Sequence, residues 1–350
     1  MPGQTRLNRS TPHMCLKMAF VARPARGWRR PGNWKGIALL AILYASCSRP
    51  VSSPPVAEDI REPFTIAVLP DTQHYSRKYP DRFYAQTAWI HEHARTENIV
   101  FATQLGDIVN DGAKDMKQWQ VAANAMSLLD GVVPWGVAIG NHDFDKPSDR
   151  SDGASTFIKH FGPDRFKNAP WYVGAAPSQL SSCQLFSGAG RSFIFLHLQL
   201  DAPKKDLAWA EEMLRRYPDR PAIVSTHSYL KGRDGIARNP EPVLKHGNSG
   251  EDLWNKLIRK NPQIFMVLCG HQGRTVHYRQ ISTNDAGKPV LELLADYQRQ
   301  PLGGDATLRL LRFEPTRQRI HVRTYSPFRN AYDPDDDSDF TLPWSPPAPR

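Results

Sequence analysis

The chain has 350 residues, 40% of them hydrophobic and 10% aromatic, enough apolar material for a sizeable buried core. No run of 18 apolar residues occurs, which excludes a membrane-spanning helix in the mature body. The formal net charge of +10 sits mostly in residues 1–46, which hold Arg6, Arg9, Lys17, Arg23, Arg26, Arg29, Arg30 and Lys35 and no acid. Without those eight, 37 basic residues face 35 acidic ones, so no specific nucleic-acid partner is expected.

Residues 1–47 have the order of a targeting segment: a basic region ending at Lys35, an apolar run Gly36–Ala45, then small residues before Cys47. That junction resembles a bacterial lipoprotein processing site, with Tyr44 where such sites usually place Leu. The expectation is export, as a periplasmic protein or one attached to a membrane through a lipidated Cys47, with simple secretory cleavage nearby as the alternative. Residues 48–62 are rich in Pro and Ser and read as a linker. The folded domain is expected over 63–328. Residues 329–350, with Asp333, Asp335, Asp336, Asp337, Asp339 and several prolines, read as a tail or surface wrap. Cys269 closes the apolar run IFMVLC and reads as a buried free thiol, and no pairing with Cys183 follows from two residues alone.

Taken in order, FTIAVL (64–69) is an apolar, β-rich run and predicts a buried strand. A helix follows over Asp81–Glu97, a strand over Ile99–Leu105, a helix over Lys117–Leu129 and a strand over Val132–Ile139. This βαβαβ order implies parallel strands with helices on the sheet faces. A strand over Ser192–Leu200, a helix over Lys204–Arg216 and a strand over Pro221–Thr226 come next. Ser249 with Asp252 three residues later marks a helix start, leading through Ile258 to a strand over Ile264–Cys269. Residues 275–325 contain VLELLA, TLRLLRF and RIHVRTY and are expected to form antiparallel strands. The total is an α/β fold of two packed sheets, a β sandwich flanked by helices.

Five of these strands end in clusters of metal-ligand types: LPDTQH (69–74), LGDIVND (105–111), IGNHD (139–143), STHS (225–228) and CGHQG (269–273). Sites in open α/β sheets form at the carboxyl ends of strands. Two divalent ions ~3.5–4 Å apart can bind phosphate oxygens and activate water. Holding both takes a bridging carboxylate with oxygen and nitrogen ligands around each ion. The glycines before Asp107, Asn141 and His271 are expected to allow tight turns.

This ordered set, D-x-(H/Q), GD, GNHD, H and GH over residues 69–273, resembles the calcineurin-like metallophosphoesterases. The resemblance implies that fold and hydrolysis of phosphate esters, mono- or diester, with two divalent ions such as Mn, Fe or Zn. It places Asp107 as the bridge, Asp71 and Gln73 at the first ion, and Asn141, His227 and His271 at the second. It makes His142 the general acid, with Asp143 orienting it, and a metal-bridging hydroxide the nucleophile. The expected substrate is a phosphorylated small molecule or lipid head group.

The chain departs from the family pattern in three places. Gln73 replaces a frequent His. Gly273 stands where many members carry the second His of GHxH. Asp111 stands where protein Ser/Thr phosphatases carry a phosphate-gripping Arg. His74 and Asn110 are candidate substitutes at the first ion, and Arg274 is a candidate phosphate clamp. The sparse first site also leaves open an exported lipoprotein that keeps the fold and binds a phosphorylated ligand without turnover. His197, alternating with Leu196 and Leu198, reads as a packed or hydrogen-bonded histidine. Asp296 and Tyr297, at the end of VLELLA, are candidates for the site's rim.

Overall fold

The computed structural model describes residues 62–345. The expected leader, Cys47 and residues 48–61 of the linker lie outside the described residues. Sixteen strands are described. They are β1 Phe64–Leu69, β2 Ile99–Gln104, β3 Trp135–Val137, β4 Tyr172–Ala175, β5 Ser182–Gly188, β6 Arg191–His197, β7 Ala222–Ser225 and β8 Leu230–Arg233. The rest are β9 Ile236–Arg238, β10 Ile264–Cys269, β11 His277–Thr283, β12 Pro289–Ala295, β13 Leu308–Glu314, β14 Arg319–Ser326, β15 Ala331–Tyr332 and β16 Asp339–Pro343.

One sheet runs β15-β14-β13-β1-β2-β3 with β16 also on β14; the other runs β11-β12-β10-β7-β6-β5-β4. Strands β1, β2 and β3 are parallel, as are β12, β10, β7 and β6. Their continuous apolar character follows from burial on both faces. In β1, Phe64, Ile66 and Val68 enter the core between the sheets, while Ala67 and Leu69 face the outer layer with the helices Pro80–His93 and Met116–Ser127. In β6, Phe193 and Phe195 point inward, and Ile194 and Leu196 meet the helix Lys204–Arg216. Phe64 stacks on Phe313 at 4.5 Å between ring centroids, and Phe101 on Phe195 at 4.7 Å. His197 is buried, its ring nitrogens paired with Thr103 Oγ1 at 2.9 Å and Gln184 Oε1 at 2.8 Å, so it links the two sheets. Cys183 and Cys269 are both free and buried.

Three features go beyond what the sequence led one to expect. First, residues 275–325 form the expected antiparallel pairs, β11 with β12 and β13 with β14, but β12 also pairs in parallel with β10, since it lies between β10 and its hairpin partner β11. That puts a further strand end beside the one that carries His271. Second, the last residues are not all tail. Strand β16 pairs with β14, and Leu342 and Trp344 are buried in the central core. Trp344 meets Phe313 edge-on at 4.9 Å. The alternation Phe340, Leu342, Trp344 drives this, and the folded domain therefore runs to Trp344. Third, a short helix, Gln73–Lys78, starts inside the first ligand cluster. The Ser249–Asp252 capping box is present as expected.

Candidate metal centre

Each ligand cluster follows a strand, and the parallel strands bring their carboxyl ends to one side. Asp71 and Gln73 follow β1, Asp107 follows β2, Asn141 follows β3, His227 follows β7 and His271 follows β10. Gly106 adopts φ +96, a left-handed turn that favours glycine. At Gly140 and Gly270 the need is space instead: a Cβ would lie 2.2 Å from Asp107 Oδ1 or from Asp71 Oδ1. Turn geometry thus accounts for one of the three glycines, and close approach of a carboxylate for the other two.

One ligand atom each from Asp107, His227 and His271 lies within 4.8 Å of the others. His227 Nε2 is 3.2 Å from Asp107 Oδ2 and 3.1 Å from His271 Nδ1. Its Nδ1 faces the Leu105 carbonyl at 3.0 Å and Asp71 Oδ1 at 3.8 Å. The carbonyl can only accept, so Nδ1 carries hydrogen and Nε2 is the nitrogen that could hold a metal. The Asp71 carboxylate accepts from the His271 backbone N–H at 3.1 Å. Gln73 Nε2 donates to Asp107 Oδ2 at 3.0 Å. Rotating that amide by 180° would present its oxygen instead. Asn141 is held by Nδ2 on Ser148 Oγ at 3.1 Å and by its carbonyl, which accepts from Ser148 N at 2.7 Å. Its Oδ1 is buried and has no hydrogen-bond partner.

The electrostatics fit a cation. Asp71, Asp107, Asp143 and Asp296 are all buried, and among the described residues none pairs with Lys or Arg. Burial, then Asp296 and Asp107, push Asp71 well above the usual carboxylate range. Burial also raises Asp107, but the His227 imidazole more than offsets this and holds it low. Burial would lower His227, yet Asp107 lifts it to about 9. Burial and then His227 push His271 down to about 4. Like charges are thus crowded in low dielectric, and divalent ions would relieve both them and the orphaned Asn141 oxygen.

Gln73, His74, Asp107, Asn110, Asn141, His142, His271, Gln298 and Arg299 line an open cavity of ≈ 730 Å³. His142 is half-buried there, its Nδ1 on the Asn110 carbonyl at 2.7 Å. Asp143 does not orient His142, contrary to expectation. Its Oδ1 accepts from Ile108 N at 2.8 Å and Val109 N at 3.0 Å, and its Oδ2 from Gly140 N at 2.8 Å. Within the tight turn Asn141–Asp143 its side chain folds back under the Asp107 loop. Burial and Asp107 raise it to about 7, against the pull of those donors. Arg274, the candidate phosphate clamp, takes the place of a solvated loop charge. It lies at the exposed corner of the Gln272–Thr275 turn and does not line the cavity, whereas Arg299 does. Asn110 gives its side-chain amide to Asp111, which also pairs with Arg77 at 3.4 Å. Asp296 is buried beneath the centre, not at its rim. Gln298 and Arg299 were missed, and their only signal was position just beyond the end of β12.

The fold and this strand-end centre are those of a metallophosphoesterase. The calcineurin-like phosphoesterase family model matches residues 64–296, and the chain belongs to that family, whose members cleave phosphate esters with divalent metals. The uncharacterized protein YvnB of Bacillus subtilis is 36% identical over 290 residues, which is 80% of this chain and 21% of that protein. The chain therefore spans about a fifth of the length of that relative. Among solved structures, a dimetal phosphatase from Danio rerio is similar at a TM-score of 0.47 and 15% identity, covering 81% of this chain and 99% of its own. GAP50, the anchor in the inner membrane complex of Plasmodium, is similar at 0.48 and 11%, covering 81% and 89%.

Proposed function

We propose that the protein hydrolyses phosphate esters using two divalent ions, with Asp107 shared, Asp71 and Gln73 at the first and Asn141, His227 and His271 at the second. The buried, unpartnered Asn141 Oδ1, in the cavity that also holds Asp107 and His271, carries this reading. When bound, such ions supply Lewis-acid charge to phosphate oxygens and activate water. The mixed carboxylate, amide and imidazole donors suit Mn, Fe or Zn.

The chain's own residues do the rest. The Asn110 carbonyl keeps hydrogen on His142 Nδ1, so Nε2 is the atom free to exchange a proton. Protonated at Nε2, His142 donates to the leaving oxygen as general acid. Asp143 locks the Asp107 and Asn141 loops together through backbone N–H groups and does not touch the proton. Arg299, at the cavity wall, meets the phosphate's charge. The substrate is a phosphorylated small molecule or a head-group ester that fits the cavity. The leader pattern and Cys47 motivate a further proposal of export, which the intact mass of protein recovered from a bacterial host tests.

A panel of phosphate mono- and diesters, assayed with and without a chelator, tests the function. Turnover of at least one ester that stops on chelation and returns with Mn²⁺ supports it. Binding of phosphorylated ligands with no turnover, in fully metal-loaded protein, supports the non-catalytic alternative instead.

A further inference from the structure

The first ion site looks underbuilt: Asp71, the shared Asp107, a neutral Gln73, and Gly273 where a second histidine would stand. The structure fills that gap from another strand. Gln298 lies three residues past Ala295, the end of β12, and β12 runs parallel beside β10, whose end carries His271. Resting on the dinuclear reading above, we propose that Gln298 is the missing ligand of the first site, its amide oxygen joining Asp71, Gln73 and Asp107, with buried Asp296 as the residue that orients it.

Orientation is the first ground. Gln298 Nε2 donates to Asp71 Oδ2 at 3.0 Å and to Asp296 Oδ2 at 3.0 Å. The Asp296 carboxylate also accepts the Gln298 backbone N–H at 3.0 Å. Two carboxylates claim both amide hydrogens, so Oε1 is the end left for a partner. That oxygen accepts from Gln73 Nε2, which also donates to Asp107 Oδ2. The Gln73 amino group thus sits as a partial positive charge between two oxygens from different loops. A divalent ion would answer the same two oxygens with more charge, and the Gln73 amide, turned over, would offer it a third.

Space is the second ground. A Cβ at position 273 would lie 3.1 Å from Gln298 Cγ and 2.9 Å from Arg299 Cγ. The Gln298–Arg299 segment occupies the room that a side chain at 273 would need. Absence of histidine at 273 and presence of Gln298 are therefore one exchange, an imidazole from the β10 loop traded for an amide from the β12 loop. Neither His74 nor Asn110 is needed. A Gln oxygen is a hard, neutral donor, so this exchange biases the first site toward Mn²⁺ or Mg²⁺ over Zn²⁺.

The test titrates metal-free protein with Mn²⁺ alone, by calorimetry and by electron paramagnetic resonance, for wild type, Gln298→Ala and Gln298→His. Circular dichroism confirms folding of each. Wild type should bind two ions and give the signal of a coupled pair. Gln298→Ala should keep the tighter ion, lose at least about 10-fold affinity for the weaker one, and show isolated Mn²⁺, since even outer partners of a ligand are worth 10–100-fold. Gln298→His should raise the ratio of Zn²⁺ to Mn²⁺ affinity at the weaker site, because nitrogen replaces oxygen; a merely structural role would weaken both metals alike. The proposal is overturned if Gln298→Ala binds both ions as wild type does, or if the ratio is unmoved in Gln298→His. If wild type binds no divalent ion, the dinuclear reading falls and this one with it.

Discussion

Replacing Asp143 separates two roles that its place beside His142 in the sequence confuses. Its carboxylate is fully buried and accepts three backbone N–H groups, from Ile108, Val109 and Gly140. Asp143→Asn keeps an oxygen for two of them but turns an amino group toward the third, leaving one buried N–H without an acceptor. A hydrogen bond to a charged group is worth about 1.5–3 kcal/mol, and an orphaned buried donor costs about as much. Asp143→Asn should therefore cost roughly 1.5–3 kcal/mol, and Asp143→Ala, which orphans all three, about 4.5–9 kcal/mol. For a domain of this size the former lowers the melting temperature by roughly 2.5–5 °C. The assay is denaturant and thermal unfolding of metal-loaded protein, with kcat measured below the transition. The expected order of stability is wild type, Asn, then Ala, with metal affinity falling in parallel because the Asp107 loop loosens. Wild-type stability in both variants, with loss confined to kcat, would show that Asp143 acts on His142 after all.

His142→Ala should keep both ions and lose about 10²–10⁴ in kcat, with the loss shrinking for nitrophenolate esters, whose leaving oxygen needs little protonation. The same loss for every leaving group would contradict its role as acid. His197 is held neutral by burial, its pKa pushed down to about 3. Below about 6.5 the unfolded chain takes up a proton there that the folded one refuses, so stability falls as pH drops from about 6.5 toward about 3, by up to ~1.4 kcal/mol per unit. His197→Gln should flatten that slope in equilibrium unfolding, and an unchanged slope would refute the assignment. Trp344→Ala should cost about 3–5 kcal/mol by removing a buried ring from the central core; a loss under 1 kcal/mol in urea unfolding would mean the C-terminal strand is not integral.

Much of the cluster was legible because its residues stand directly at the ends of apolar strands, where composition changes abruptly from IFMVLC to GHQG or from FTIAVL to PDTQ. What the sequence could not show is where a side chain turns once past the strand. Asp143 and His142 are neighbours in the chain, yet the tight turn sends one carboxylate under the backbone and the imidazole into the cavity. Arg274 and Arg299 look alike as loop charges, and only the fold decides which one lines the cavity. Gln298 was invisible because a lone Gln after a strand is ordinary, and because the parallel pairing of β12 with β10 was not foreseen. The same limit hid Trp344, whose alternation with Phe340 and Leu342 is masked by the surrounding Asp and Pro.

The proposed hydrolysis depends on two divalent ions joined by Asp107. The direct measurement is metal content by elemental analysis, with ester hydrolysis on the same samples, for wild type and Asp107→Asn after loading with Mn²⁺. Wild type should hold two ions per chain and turn over esters, while Asp107→Asn should hold both ions more weakly and lose activity for every leaving group. Two tightly held ions or undiminished hydrolysis in that variant would contradict that dependence.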